Sequence, residues 1–268
     1  MSKKDKPLIL IIGFGSIGQR HYRNIKKLFK NKVEFVILRK NFKTPILTKY
    51  NKPKKIQKIK NKNLKIIKKL DKEVLENNKI YSAFICNPSS LHIDFAIKLI
   101  KNNINTFVEK PLSNNLKKVQ QLEALIKKSK SVNMVGYQMR FNPIINYLKK
   151  QKNFENKIGH INFVQIDHGE SVKEFHSWEK YENSYTSKKK LGGGVTLSQI
   201  HELEYFKFLF NGYNITKAKS IIDKTSNFKL DVDDSSSHLF LLKRKNKKII
   251  CNLNLNFYET PKHRVIKF

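Results

Sequence analysis

Two stretches of this 268-residue chain hold residue types whose spacing suits chemistry. The first is Gly13-Phe14-Gly15-Ser16-Ile17-Gly18, directly after the apolar run Leu8 to Ile12. In a strand-to-helix turn the first glycine permits the bend, the second lets backbone approach a pyrophosphate, and the third lets helix and strand pack. The helix N-terminus then faces the phosphates with its unpaired N–H groups. The second is a set of polar residues at the ends of later apolar runs. Asn87-Pro88 with His92 follows Ser82 to Cys86, and Glu109-Lys110-Pro111 follows Thr106 to Val108. Ligands of open parallel sheets sit outside the carboxyl ends of the strands, so Asn87, Pro88, His92, Glu109 and Lys110 are expected beside the glycine turn.

An alternation of strands and helices must position these groups. Leu8 to Ile12 and Val33 to Leu38 read as strands, and Ile17, Ile25, Leu28 and Phe29 recur between them at helical spacing. A second helix shows Leu91, Phe95, Ala96, Leu99 and Ile100 on one face, and Val132 to Val135 is a further strand. The second strand of such a βαβ unit ordinarily ends in an acid that holds the ribose 2′-hydroxyl of NAD. Here, 21 residues past Gly18, stand Arg39 and Lys40. A guanidinium suits a 2′-phosphate, so NADP is the expected cofactor and NAD the alternative.

Composition narrows the class. With 55 Lys+Arg against 21 Asp+Glu, the formal charge is +34, which raises polyanion binding as a rival function. The lysines spread through the whole chain, whereas base-reading folds cluster their charge. The densest run, Lys52 through Lys69, has no aromatic residue to stack bases on and reads as a solvated face. No specific nucleic-acid partner is expected. At 39% hydrophobic residues the chain can build a core. Cys86 and Cys251 are too few for a disulfide framework or a zinc site, which suits a reducing cytoplasm, and no metal cluster is expected. No stretch approaches the roughly 18 apolar residues of a membrane span. Met1 to Phe14 has no small-residue cleavage site, so its apolar run reads as a buried strand rather than a secretion signal.

Further landmarks follow in order: Gly136-Tyr137-Gln138-Met139-Arg140-Phe141, then Gly192-Gly193-Gly194 with His201. Together with the glycine turn and His21, Asn87-Pro88 with His92, and Glu109-Lys110-Pro111-Leu112, they resemble the Gfo/Idh/MocA family of nicotinamide-dependent oxidoreductases. The resemblance implies an N-terminal Rossmann domain and a C-terminal domain on a large, mostly antiparallel sheet. It also implies that Lys110 sits beside nicotinamide and substrate ahead of a cis bond to Pro111. His201 would act as, or close to, the general base, and Tyr137, Gln138 and Arg140 would contact nicotinamide or substrate. Neutral imidazole suits the base role because it titrates near neutrality. One departure stands out. Many members carry an aspartate a few residues before the histidine, whereas this chain has Ser198-Gln199-Ile200.

In the second half, His160 to Asp167, Ser237 to Lys243 and Ile249 to Tyr258 read as strands, with a hairpin from Lys243 to Lys248. Cys251, Leu253, Leu255 and Phe257 alternate with Asn252, Asn254 and Asn256, as a sheet with one buried face requires. A helix after the triple glycine is expected to bury Leu197, Ile200, Leu203 and Phe206. Trp178, Tyr181 and Tyr185 read as anchors of a surface loop. Family members usually continue further, so the C-terminal domain is expected to be incomplete, and homo-oligomer formation to depend on its sheet.

The expected architecture is therefore α/β: residues 1–123 a Rossmann domain and 124–268 an α+β substrate and oligomerisation domain. The expected function is hydride transfer between nicotinamide and a secondary hydroxyl or ketone of a sugar or sugar nucleotide. The alternative is a dinucleotide-binding pseudoenzyme or sensor.

Overall fold

A run apolar at every position suits a parallel strand covered on both sides. In the computed structural model such a run forms the central strand β1 (Leu8–Ile12). The structure describes residues 6–40, 44–54, 63–77, 79–150, 157–176 and 178–268. β1 pairs in parallel with β2 (Glu34–Leu38) and β4 (Ile80–Ile85). β3 (Leu64–Ile67), β5 (Asn105–Val108) and β6 (Asn133–Val135) complete a six-stranded parallel sheet in the order β3-β2-β1-β4-β5-β6. This is the doubly wound Rossmann order, with its switch point between β1 and β4.

Alternate residues of β1 serve opposite cores. Ile9 and Ile11 pack with Tyr22 and Ile25 of α1 (Ser16–Phe29), and Leu10 and Ile12 pack with Ile93, Ala96 and Ile97 farther along the chain. After α2 (Lys72–Asn77), those three residues lie on α3 (His92–Lys101), with α4 (Val119–Lys128) beside it. Burying each aliphatic side chain contributes about 1.5–3 kcal/mol.

Three expectations need correction here. Leu28 and Phe29 are 75% and 50% exposed; α1 buries Gly18, Gln19, Tyr22 and Ile25, and its last turn stands clear of the core. Leu91 is likewise exposed, because it precedes α3 and the buried set is His92, Ile93, Ala96, Ile97, Leu99 and Ile100. The basic run after Lys52 is more than a solvated face. Its end is the edge strand β3, in which Leu64 and Ile67 pack on the sheet cores while the lysines stay outside. Residues 55–62 of that run lie outside the described residues.

The expected boundary after residue 123 falls inside α4. The first compact unit extends to Gly136, with residues 178–179 counted to it, because β6 pairs with β5.

The second unit holds a five-stranded sheet in the order β11-β7-β10-β9-β8. Its strands are β7 (Phe163–Gly169), β8 (Asn214–Asp223), β9 (Ser235–Arg244), β10 (Lys247–Asn256) and β11 (His263–Lys267). Every pairing is antiparallel except β10 with β7. Val164, Ile166, Ile249, Cys251, Leu253 and Leu255 form its buried face. Burial pushes the Cys251 thiol up to about 12, so it is a core residue and not a nucleophile. The hairpin between β9 and β10 closes through Lys245 and Asn246, with φ 52° at Lys245. Against the buried face lie α5 (Pro143–Lys150), α6 (Val195–Ser198) and α7 (His201–Leu209). Leu197, Ile200 and Leu203 are only partly buried. Phe206 is buried as expected, but the helix expected after the triple glycine breaks at Gln199 and Ile200, which turns Glu202 and Tyr205 inward beside it.

Candidate active site

At the carboxyl end of β1 the three glycines do three different things. Gly13 has φ +87°, and a Cβ there would stand 2.7 Å from the backbone nitrogen of Asn87. A Cβ on Gly18 would strike the carbonyl oxygen of Gly13. Gly15 is the opposite case, with nothing within 4 Å of where its Cβ would be. It caps α1 without a side-chain hydrogen bond, and no acidic residue stands in the first turn. Open space against unpaired N–H groups is the shape a pyrophosphate needs, so this turn fits a dinucleotide. Ser16 and Ile17 are half-buried at the start of α1. The Phe14 side chain, expected at the cofactor, is 5% exposed and packs edge-on against Tyr22, so only its backbone is available to a ligand.

Arg39 and Lys40 follow β2. Lys40 is exposed, but Arg39 is 7% exposed, its guanidinium 5.8 Å above the Phe14 ring and donating to the carbonyl of Thr44 at 2.5 Å. Burial lowers its pKa. The same 44–47 segment is pinned by Gln19, a buried residue that sequence reading passed over. Gln19 Nε2 donates to the Pro45 carbonyl at 2.8 Å, and its Oε1 accepts from Leu47 N–H at 2.8 Å. A polar residue on the inner side of an amphipathic helix was the available signal.

The residues after β4 and β5 meet beside this turn. Asn87 abuts Gly13, and its Oδ1 is buried with no hydrogen-bond partner among the described residues. Pro88 is half-buried next to it. His92 was expected to line the crevice. It is instead 2% exposed, with Nδ1 2.7 Å from the Pro111 carbonyl and Nε2 2.7 Å from the Asn87 carbonyl, and burial lowers its pKa. Glu109 also turns inward. Its Oε1 accepts from His21 Nε2 at 2.6 Å and its Oε2 accepts from Lys110 N–H at 3.3 Å. A carboxylate at a buried strand end requires such a donor, and His21, three residues past Gly18, supplies it. Through this pair α1 and the Lys110 loop are joined on one edge of the sheet. Lys110 itself is half-buried, and its bond to Pro111 is cis.

The other expected residues belong to the second unit. His201 is the first residue of α7, 6% exposed, with Gln138 Nε2 3.4 Å from its Nε2. Arg140 Nε donates to Glu204 Oε1 at 2.5 Å, and its guanidinium lies 5.8 Å above Tyr137 and 5.3 Å above Phe208. Its charge is therefore matched within the protein. Tyr137 has its hydroxyl pKa raised by burial and by Glu204. Tyr137, Gln138, Arg140 and His201 thus form one cluster. Ser198 ends α6, and Glu202 is fully buried with Arg264 Nε donating to it at 2.6 Å, so Glu202 offers no free carboxylate in place of the aspartate. Among the described residues no three His, Cys, Asp or Glu side chains gather as metal ligands do, and no helix is long and apolar enough to cross a membrane.

Residues 8–137 match the model of an oxidoreductase family described as having an NAD-binding Rossmann fold. The chain is 37% identical over 71 residues to scyllo-inositol 2-dehydrogenase (NAD(+)) of Bacillus subtilis, which is 26% of this chain and 21% of that protein. It is 26% identical over 164 residues to trans-1,2-dihydrobenzene-1,2-diol dehydrogenase of Xenopus tropicalis, 60% of this chain and 45% of the relative. The matches thus span less than half the length of either relative. The fold superposes with a TM-score of 0.72 and 16% identity on WlbA dehydrogenase from Bordetella pertussis, solved with NADH and UDP-GlcNAcA, covering 98% of this chain and 78% of that one. The match assigns residues 8–137, the Rossmann part of the chain, to the Gfo/Idh/MocA oxidoreductase family.

Proposed function

We propose that this chain is a nicotinamide-dependent dehydrogenase acting on a secondary hydroxyl, or the corresponding ketone, of a polyol, sugar or sugar nucleotide. The observation that supports this most is the joining of the open glycine turn to the Lys110 loop through His21 and Glu109. The relatives' substrates, an inositol and a diol, and the sugar nucleotide bound by the structural neighbour, point to the substrate class.

The turn from Gly13 to Gly18 holds the pyrophosphate, and Asn87 offers its unpartnered Oδ1 to the bound dinucleotide. Arg39 and Lys40, with no carboxylate at the end of β2, admit the 2′-phosphate of NADP as well as NAD. When bound, the nicotinamide supplies the hydride acceptor or donor. The Lys110 ammonium holds the substrate oxygen and stabilises the negative charge that develops there. In the second unit His201, with Gln138 beside its ring, is the candidate acid–base group.

A second reading, dinucleotide binding without turnover, is favoured by Ser198 standing where many members carry aspartate. The test is NADH and NADPH binding by fluorescence, then turnover of a panel of inositols and sugars, with Lys110→Met as control. The dehydrogenase reading expects turnover that Lys110→Met lowers by about 10²–10⁴-fold while NADH binding holds. Binding without turnover on every substrate selects the second reading. Arg39→Asp is expected to shift the NADPH/NADH affinity ratio at least tenfold towards NADH, and an unchanged ratio removes Arg39 from cofactor choice.

A further inference from the structure

His92 is a buried imidazole with a backbone carbonyl at each ring nitrogen. A carbonyl oxygen can only accept, so the ring donates to one of the two carbonyls when neutral and to both only when protonated. The two carbonyls come from different loops. Asn87 lies in the loop after β4, against Gly13, and Pro111 follows Lys110 in the loop after β5. His92 opens α3, which packs into the sheet core through Ile93, Ala96 and Ile97, so the ring is held by a rigid element. On the other flank of Lys110, Glu109 is held by His21 of α1. Lys110 therefore stands between two histidine-anchored neighbours.

Resting on the role assigned to Lys110 above, we propose that His92 is a positioning residue. Wedged between the Pro111 and Asn87 carbonyls and donating to one of them, it fixes where Lys110 stands relative to the glycine turn, without touching cofactor or substrate. The groups facing it are the Pro111, Asn87 and Glu109 backbone carbonyls and the Glu109 carboxylate, and the ring is buried away from solvent.

The two ties can be separated by substitution. An asparagine amide nitrogen occupies roughly the place of Nδ1 and retains the Pro111 tie, a glutamine amide nitrogen that of Nε2 and the Asn87 tie, and phenylalanine retains volume with neither. His92→Phe is expected to lower kcat at least tenfold while the NADH dissociation constant changes less than threefold. Because the Pro111 tie is the one next to Lys110, His92→Asn recovers more of kcat than His92→Gln.

Hydrogen–deuterium exchange of the substrate-free protein gives an independent arm. His92→Phe speeds exchange in residues 86–91 and 109–113 and leaves 13–19 unchanged. A parent protein that turns over no substrate defeats the assignment of Lys110, yet the exchange arm still decides whether His92 ties the loops. Unchanged exchange in both loops overturns the proposal. So does a kcat within twofold of the parent, or an NADH affinity that falls as far as kcat, which would make His92 a cofactor contact.

Discussion

The three glycines make a prediction that separates binding from folding. At Gly15, φ is −72° and ψ −165°, an extended conformation open to any residue, and a Cβ there meets nothing within 4 Å. Replacing glycine by alanine at a compatible position ordinarily stabilises a protein by about 0.4–1 kcal/mol through the unfolded chain. Gly15→Ala is therefore expected to melt at or slightly above the parent temperature. Its methyl group stands in the space that a pyrophosphate would occupy, so NADH binding is expected to weaken at least tenfold, about 1.4 kcal/mol. Gly18→Ala is the mirror case. Helix propensity alone would favour it by about 1 kcal/mol, but its Cβ strikes the Gly13 carbonyl, and overpacking against backbone costs about 1–3 kcal/mol. That predicts a net loss of up to about 2 kcal/mol, or several degrees in melting temperature. Thermal melts and NADH titrations of both variants check this directly. A Gly15→Ala protein that binds NADH as the parent does refutes the assignment of the open space.

The second unit makes two further predictions. Glu202 is fully buried and accepts from Arg264, so Arg264→Met removes its charged partner and costs about 3–5 kcal/mol by denaturant titration, most of it recovered in the double variant with Glu202→Gln. Additive losses in the double variant contradict the pairing. Burial holds His168 at about 4, below its ordinary 6.5. The unfolded chain thus binds this proton first, and stability falls as pH drops from 6.5 towards 4, by an amount on the order of 2–3 kcal/mol from this group. His168→Asn should flatten that limb of a plot of melting temperature against pH, and an equal slope in variant and parent rules the group out.

How much of this was legible in the sequence depends on burial. The apolar runs at Leu8 to Ile12 and Val33 to Leu38 reveal their strands because both faces are covered, and the glycine spacing reveals the turn. The edge strands β3 and β8 escaped notice for the converse reason: an edge strand has little buried area, and β8 is exposed along its whole length. Side-chain directions were hardest. Phe14, His92, Glu109 and Arg140 were placed near the site by position along the chain, but which way a side chain turns is set by a partner distant in sequence. Glu109 turns to His21 across 88 positions and Arg140 to Glu204 across 64, and no local pattern records such pairs. The break between α6 and α7 was hidden because the apolar spacing runs through it.

The central claim is that the turn at residues 13–18 and the loops after β4 and β5 form one seat for a redox dinucleotide. Hydrogen–deuterium exchange of the intact chain at rising NADH concentration tests it most directly. A single seat predicts protection in residues 13–19, 86–91 and 109–112 together, half-complete at one common NADH concentration. Protection confined to 13–19, or setting in at different concentrations in the three segments, would contradict it.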